Sequence, residues 1–199
     1  MTHPAHSRWR SQTLVVVIAL ISIIPFGLAW YYAQHPELIE KTSNYGALIP
    51  PGQQLDPAQL VAESTDAAAT LEQVKGRWLL LQAVPGSCAE ECAETLHKTH
   101  QGWLMLNKEM LRVKRLLLMP AAAQASKAPA VAQDDALLTA GLTPVVLQAL
   151  TRAIGKAPGA GMVILLDPMG NLVLWYDTGF DPYQMVKDLK HLLKASQIG

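Results

Sequence analysis

Between Arg10 and Glu37 the chain carries no formally charged residue, and Leu14 to Tyr32 is an almost unbroken apolar run. At helical rise such a run spans about 28 Å, close to the thickness of a bilayer core. Ser22, Pro25 and Gly27 interrupt it, which a membrane helix tolerates. Trp30, Tyr31 and Tyr32 cluster where the helix leaves the hydrocarbon, an arrangement typical of a membrane interface. The run therefore predicts one transmembrane anchor over residues 14–32. Arg8 and Arg10 precede it, while Glu37, Glu40 and Lys41 lie beyond it. The positive-inside rule then keeps residues 1–13 cytoplasmic and exports the rest, into the periplasm if the anchor sits in a bacterial inner membrane. A cleaved signal peptide is the competing reading. The length of the run and the lack of a small-x-small site after it favour a retained anchor.

Beyond the anchor the chain has about 165 residues, enough for one domain with a proper core. Lys+Arg and Asp+Glu are both 16 and no basic cluster stands out, so nucleic acid is not an expected partner. There is no phosphate-binding glycine loop, no His-x-x-x-His zinc spacing, no nucleophile elbow and no solenoid-like repeat.

Residues 33–75 read as an extended juxtamembrane segment, Pro/Gly-rich from Thr42 to Gln54. Arg77 to Val84 (R-W-L-L-L-Q-A-V) has the continuous apolar character of a strand buried on both faces. Ser87 can cap the next helix, with Glu90 and Glu91 suited to its first turn. That helix is expected to reach about Met110, with Leu96, Leu104 and Leu111 inward. Arg115 to Met119 reads as a second buried strand. Residues 120–136 form an alanine-rich, low-complexity insertion without a core pattern. Thr143 to Ile154 is a helix with Pro144 first. Met162 to Leu166 is a third strand, residues 167–171 a tight turn, and Leu172 to Tyr176 a fourth strand. Asp181-Pro182 opens a closing amphipathic helix to about Ala195, with Met185, Leu189, Leu192 and Leu193 inward.

Cys88 and Cys92 are the only cysteines, spaced C-A-E-E-C directly after Pro85-Gly86-Ser87. Thiolates are nucleophiles and soft-metal ligands, so the pair offers redox exchange or capture of a soft ion such as Cu(I). At i and i+4 on a helix both sulfurs lie on one face, within reach of one ion. Inside a regular helix a disulfide is awkward. At a first turn, with Cys88 near the cap, a readily reduced disulfide becomes possible. The helix N-terminus favours the Cys88 thiolate, while Glu90, Glu91 and Glu94 oppose it. Three roles stay open: a structural disulfide, a two-thiolate copper site, and thiol–disulfide exchange. Met162 reads as core rather than ligand, and Trp78 and Trp175 as packing. His97 and His100 read as solvated helix residues, and Asp167 as a support for its own turn.

Strand–helix–strand–helix–strand–hairpin strand–helix, with paired cysteines at the first strand-to-helix turn, resembles a thioredoxin-like domain: a central mixed α/β sheet flanked by helices. With the anchor, the C-x-x-x-C, the K-G-R-W-L-L-L lead-in and the I-L-L-D-P-M-G-N-L-V turn, the chain is similar to the Sco/SenC-type copper-insertion factors of cytochrome c oxidase assembly. The resemblance covers about Gly76 to Leu193, within a domain assigned to residues 76–199. It implies a membrane-anchored assembly factor for a respiratory copper oxidase rather than a small-molecule enzyme. Its partners would be an oxidase subunit or other assembly factors. Cu(I) would be the one metal and Cys88 and Cys92 its ligands or the redox pair, with no organic cofactor. A general periplasmic thiol–disulfide oxidoreductase and a non-catalytic scaffold are the alternatives. Sco-type proteins complete their copper site with a histidine in the loop before the third strand. Here that loop reads Ala157-Pro158-Gly159-Ala160-Gly161, so the chain is a divergent member. His97, His100 and His191 are the only histidines after Cys92, and none is spaced to join both sulfurs.

Overall fold

The computed structural model describes residues 6–35, 44–62, 69–124 and 134–196. Parts of the N-terminal, juxtamembrane and alanine-rich segments fall outside these residues. Two compact units are present, Met1–Ser43 and Asn44–Gly199.

The first contains helix α1, His6–Gln34, continuous through Pro25. Its described apolar side chains are exposed along its length. Residues 12–34 are long and apolar enough to cross a membrane, and Ser22 Oγ donates to the Ile18 carbonyl at 3.0 Å, satisfying its hydroxyl within the helix. An exposed apolar surface of this kind calls for lipid around it.

The second unit is a six-stranded mixed sheet with helices on both faces. Its strands are β1 (Ala47–Leu48), β2 (Trp78–Ala83), β3 (Val113–Met119), β4 (Leu137–Gly141), β5 (Val163–Leu166) and β6 (Leu172–Tyr176). The order across the sheet is β1-β6-β5-β2-β3-β4. Strands β2, β3 and β4 are parallel, and β5, β6 and β1 join antiparallel. Central strands covered on both sides cannot alternate apolar with polar, and all six residues of β2 are buried. Leu79, Leu81 and Ala83 face one core cluster with Val146 and Leu150. Trp78 and Leu80 face the other, with Met185 and Leu189.

The helices are α2 (Pro57–Leu60), α3 (Leu71–Val74), α4 (Glu90–Leu104), α5 (Ala121–Gln124), α6 (Pro144–Ile154) and α7 (Pro182–Ala195). Side-chain caps fix four of them, beginning with α2, where Asp56 accepts from the Ala58 N–H. Thr143 Oγ1 accepts from the Val146 N–H ahead of Pro144, Asp181 accepts from the Tyr183 N–H ahead of Pro182, and Thr70 with Gln73 forms a reciprocal capping box. Met185, Leu189 and Leu193 are buried on α7, as expected, with Leu192 partly so.

Several expectations need correction. Helix α4 stops at Leu104, and a 3₁₀ turn over Asn107–Arg112 comes next. Asn107 takes φ 53°, which breaks helical continuity. Leu104 and Leu111 consequently face outward, 44% and 74% exposed, whereas Leu96 is buried. Ser87 is not the cap; Ala89 holds that position, with no side-chain cap bond. Strand β4 lies where no strand was expected. The segment 44–62 does not merely run along the surface: Ile49, Leu55 and Leu60 are buried in the core. The Asp188 carboxylate, 3% exposed, accepts from the Tyr45 and Gly46 N–H groups and from the Tyr176 hydroxyl. The predicted turn is present as expected: Asp167 accepts from the Met169 and Asn171 N–H groups at 2.8 Å. Gly170 takes φ 86° with the Leu55 carbonyl directly against its α-carbon.

Candidate redox site

Strand β2 ends at Ala83, its neighbour Val84 still bonded to the Leu118 carbonyl at 2.9 Å. The chain then turns out through exposed Pro85, Gly86 and Ser87 into α4. This is the carboxyl end of the parallel strands, the edge where open α/β sheets place their ligand sites. Cys88 precedes the cap residue Ala89, so it lies outside the helix, and Cys92 is the third helical residue. The two are joined as a disulfide with a Cα–Cα distance of 5.1 Å. Cys88 is half-buried and Cys92 fully buried.

The buried sulfur is held on every side. Cys92 clusters with Val84, Leu96, Leu117, Met119 and Leu137, and Cys88, Ala123 and Ala160 pack against that group. The loop 157–161 therefore lies beside the pair. Gln82, 3% exposed in the middle of the apolar strand, ties the two together. Its Nε2 donates to the Cys92 carbonyl at 3.3 Å and to the Ala160 carbonyl at 2.5 Å. Gly161 has no room for a side chain, because an added Cβ would meet Thr178 Oγ1 at 2.6 Å and Glu91 Oε1 at 2.9 Å. Glu91 thus leans on this loop, while Glu94 pairs with Lys98 at 2.7 Å. That lysine holds the Glu94 carboxyl below its usual range by hydrogen bond and charge.

Beneath the site sits an ion network that sequence reading missed. Arg115, 1% exposed on β3, donates to the Leu96 carbonyl, to Thr99 Oγ1 and to Asp134. His100 Nδ1 lies 3.1 Å from both Asp134 and Arg115, so it is engaged rather than solvated. Burial pulls the Arg115 guanidinium below its ordinary pKa, against the opposing pull of Asp134. The available signal was one arginine inside an apolar strand, which needs a buried acceptor.

For a soft metal the donor set is two sulfurs. Among the described residues no group of three or more His, Cys, Asp or Glu side chains converges. His97 and His191 are exposed, His100 is committed to Asp134, and Met162 Sδ accepts from the Gly159 N–H at 3.2 Å. Met169 is 66% exposed at the turn, away from the pair. Once reduced, the pair would offer a copper ion two thiolates and no third ligand from this set, which does not fit a full Sco-type site.

The family model described as "transmembrane-like, thioredoxin-like, C-terminal domain" matches residues 78–196. Apo Sco1 from Thermus thermophilus superposes with a TM-score of 0.50 at 20% identity, covering 65% of this chain and 87% of the other. Yeast Sco1 with copper bound superposes with a TM-score of 0.50 at 16% identity, covering 63% and 83%. These likenesses carry the fold: a thioredoxin-like sheet with the cysteine turn at the head of α4. No curated protein matches the sequence.

Proposed function

The chain belongs to the transmembrane-like, thioredoxin-like C-terminal domain family, and on that premise we propose that it is a membrane-anchored thiol–disulfide exchange factor for assembling a respiratory copper oxidase. One observation carries the reading: a half-buried Cys88 bonded to a fully buried Cys92 at the head of α4. Such asymmetry separates an attacking sulfur from a resolving one. In the reduced protein the Cys88 thiolate attacks a client disulfide and releases one client thiolate. Cys92 then attacks the mixed disulfide, freeing the second client thiol and leaving Cys88–Cys92 oxidised. Two electrons and two protons pass to the client. The first-turn N–H groups of α4 favour negative charge at Cys88, and Glu90 and Glu91 moderate it.

The client in this reading is a copper-site subunit of the oxidase, whose cysteines must be reduced before metal can enter. The anchor over residues 14–32 lies in a bacterial inner membrane, with residues 1–13 cytoplasmic and the domain of residues 76–199 periplasmic, in keeping with the flanking charges. Direct carriage of Cu(I) is the second reading, favoured by two sulfurs on Cα atoms 5.1 Å apart; copper is then cargo.

The test is a trapping experiment in membranes. A Cys92→Ser chain should accumulate a mixed disulfide through Cys88, and a Cys88→Ser chain should not. Recovery of an oxidase subunit in the trapped species supports the assignment. Absence of any conjugate, with oxidase copper content unchanged in both variants, overturns it.

A further inference from the structure

Gln82 is the one side chain in β2 with an amide, and its surroundings are lopsided. Both partners of Nε2 are backbone carbonyls, those of Cys92 and Ala160. Carbonyls only accept, so the orientation of the carboxamide is fixed by chemistry. The other end of the same planar group, Oε1, has no hydrogen-bond partner although it is sealed from water. Among the described residues it is the one buried side-chain acceptor in that condition. Leaving such an acceptor unpaired costs about 1–3 kcal/mol, and a buried orphan of this kind asks for an explanation.

The residue whose carbonyl Nε2 holds changes its hydrogen-bonding inventory with redox state. As a disulfide, the Cys92 sulfur has no proton to donate. On reduction by two thiols, the S–S bond breaks, the donor sulfurs join as a new disulfide, and two protons go to Cys88 and Cys92. Cys92 is fully buried, so its new S–H cannot turn to water. We propose that Gln82 is a positioning residue for the redox pair: its Oε1 accepts the S–H that Cys92 gains on reduction, while its Nε2 keeps the Cys92 backbone and the 157–161 loop in register. The oxidised protein carries the orphan, and reduction satisfies it. Gln82 thereby favours the dithiol and makes the disulfide a better oxidant. This rests on the exchange reading, but its test needs no client.

The full chain in detergent micelles is equilibrated with glutathione buffers and trapped by alkylation. Both cysteines belong to the pair, so the shift in mobility reports it alone. Gln82→Met removes both amide ends with little change of volume. Its reduction equilibrium should fall about threefold against wild type, the scale of one modest hydrogen bond, or about 15 mV for a two-electron couple. A purely structural role would weaken both redox states alike and leave the potential in place, and that result overturns the proposal. Gln82→Glu keeps an acceptor oxygen while losing the amide donor, so its potential should not fall below wild type; a fall matching that of Gln82→Met overturns it too. A third readout survives misfolding of either variant. In Cys88→Ser the single thiol is Cys92, and its infrared S–H stretch should lie at the lower frequency of a hydrogen-bonded thiol. A free-thiol frequency there also sinks the proposal.

Discussion

Arg115 and Asp134 should behave as a coupled pair, and the structure sets the scale. Arg115→Met withdraws the donor from the Leu96 carbonyl and from the Asp134 carboxylate. Asp134 retains His100 and the Ala136 N–H, so the loss belongs at the lower end of the range for breaking a buried pair, about 3 kcal/mol. Asp134→Asn strands a guanidinium that is 1% exposed and should lose a similar amount, about 3 kcal/mol. Removing both leaves no orphaned charge, so the double variant should lose about 4 kcal/mol rather than 6, a coupling of about 2 kcal/mol. For a domain of this size each single variant should melt about 6–12 °C lower. The assay is urea unfolding of the unit Asn44–Gly199 monitored by circular dichroism, with the disulfide intact. Single-variant losses that add to within about 0.5 kcal/mol would show that the pair is not a unit.

The remaining predictions are more local. Burial raises the Asp134 pKa, but the bond and charge of Arg115, with His100, outweigh it, and the carboxyl sits below its ordinary value. A depressed folded pKa gives stability that is present above the unfolded value and lost as pH falls through the folded one. The stability gap between wild type and Asp134→Asn should therefore close below about pH 4, as urea titrations across pH would show. Gly170→Ala meets both a φ of 86° and the Leu55 carbonyl, and should lower stability by at least about 2 kcal/mol. Asp188→Ala leaves two N–H groups and a hydroxyl without their acceptor; a loss of about 3 kcal/mol should come with faster proteolysis near Tyr45. Ala160→His puts an imidazole beside Cys88, in the loop from which Sco-type proteins supply theirs. The reduced variant should win Cu(I) from a competing chelator better than wild type.

Elements whose signal is local were legible in the sequence. The run R-W-L-L-L-Q-A-V forms β2, and Thr143-Pro144 and Asp181-Pro182 open α6 and α7 where cap chemistry puts them. The turn at Asp167 likewise needs only its own residues. The elements that escaped depend on distant partners. Strand β4, L-L-T-A-G, has weak intrinsic strand preference and adjoins an alanine-rich stretch; it is a strand because β3 offers it an edge. Helix α4 ends early because Trp103 Nε1 donates to the Val113 carbonyl at 2.9 Å, drawing the chain into β3. The cysteine pair was visible as a motif, but the side chain that bonds the Cys92 backbone was not. Gln82 sits in an apolar run with no local signal of a role, and only the fold brings the Cys92 and Ala160 carbonyls to it.

The short strand β1 has a bearing on how the unit Asn44–Gly199 is completed. Ala47 and Leu48 pair with Trp175 and Leu174, and the Gly46 N–H meets Asp188 across a separation of 142 residues. The first stretch of the unit to be synthesised is thus seated by the last. Until β6 emerges β1 has no edge to pair with, and until α7 emerges the Tyr45 and Gly46 N–H groups lack their acceptor. Closure of so long a loop is slow, and an uncovered strand edge invites pairing with a neighbouring chain. Sealing this side of the sheet belongs at the end of folding, after the cysteine turn has formed, so a chain shortened within α7 would carry its redox motif on a sheet left open at one side.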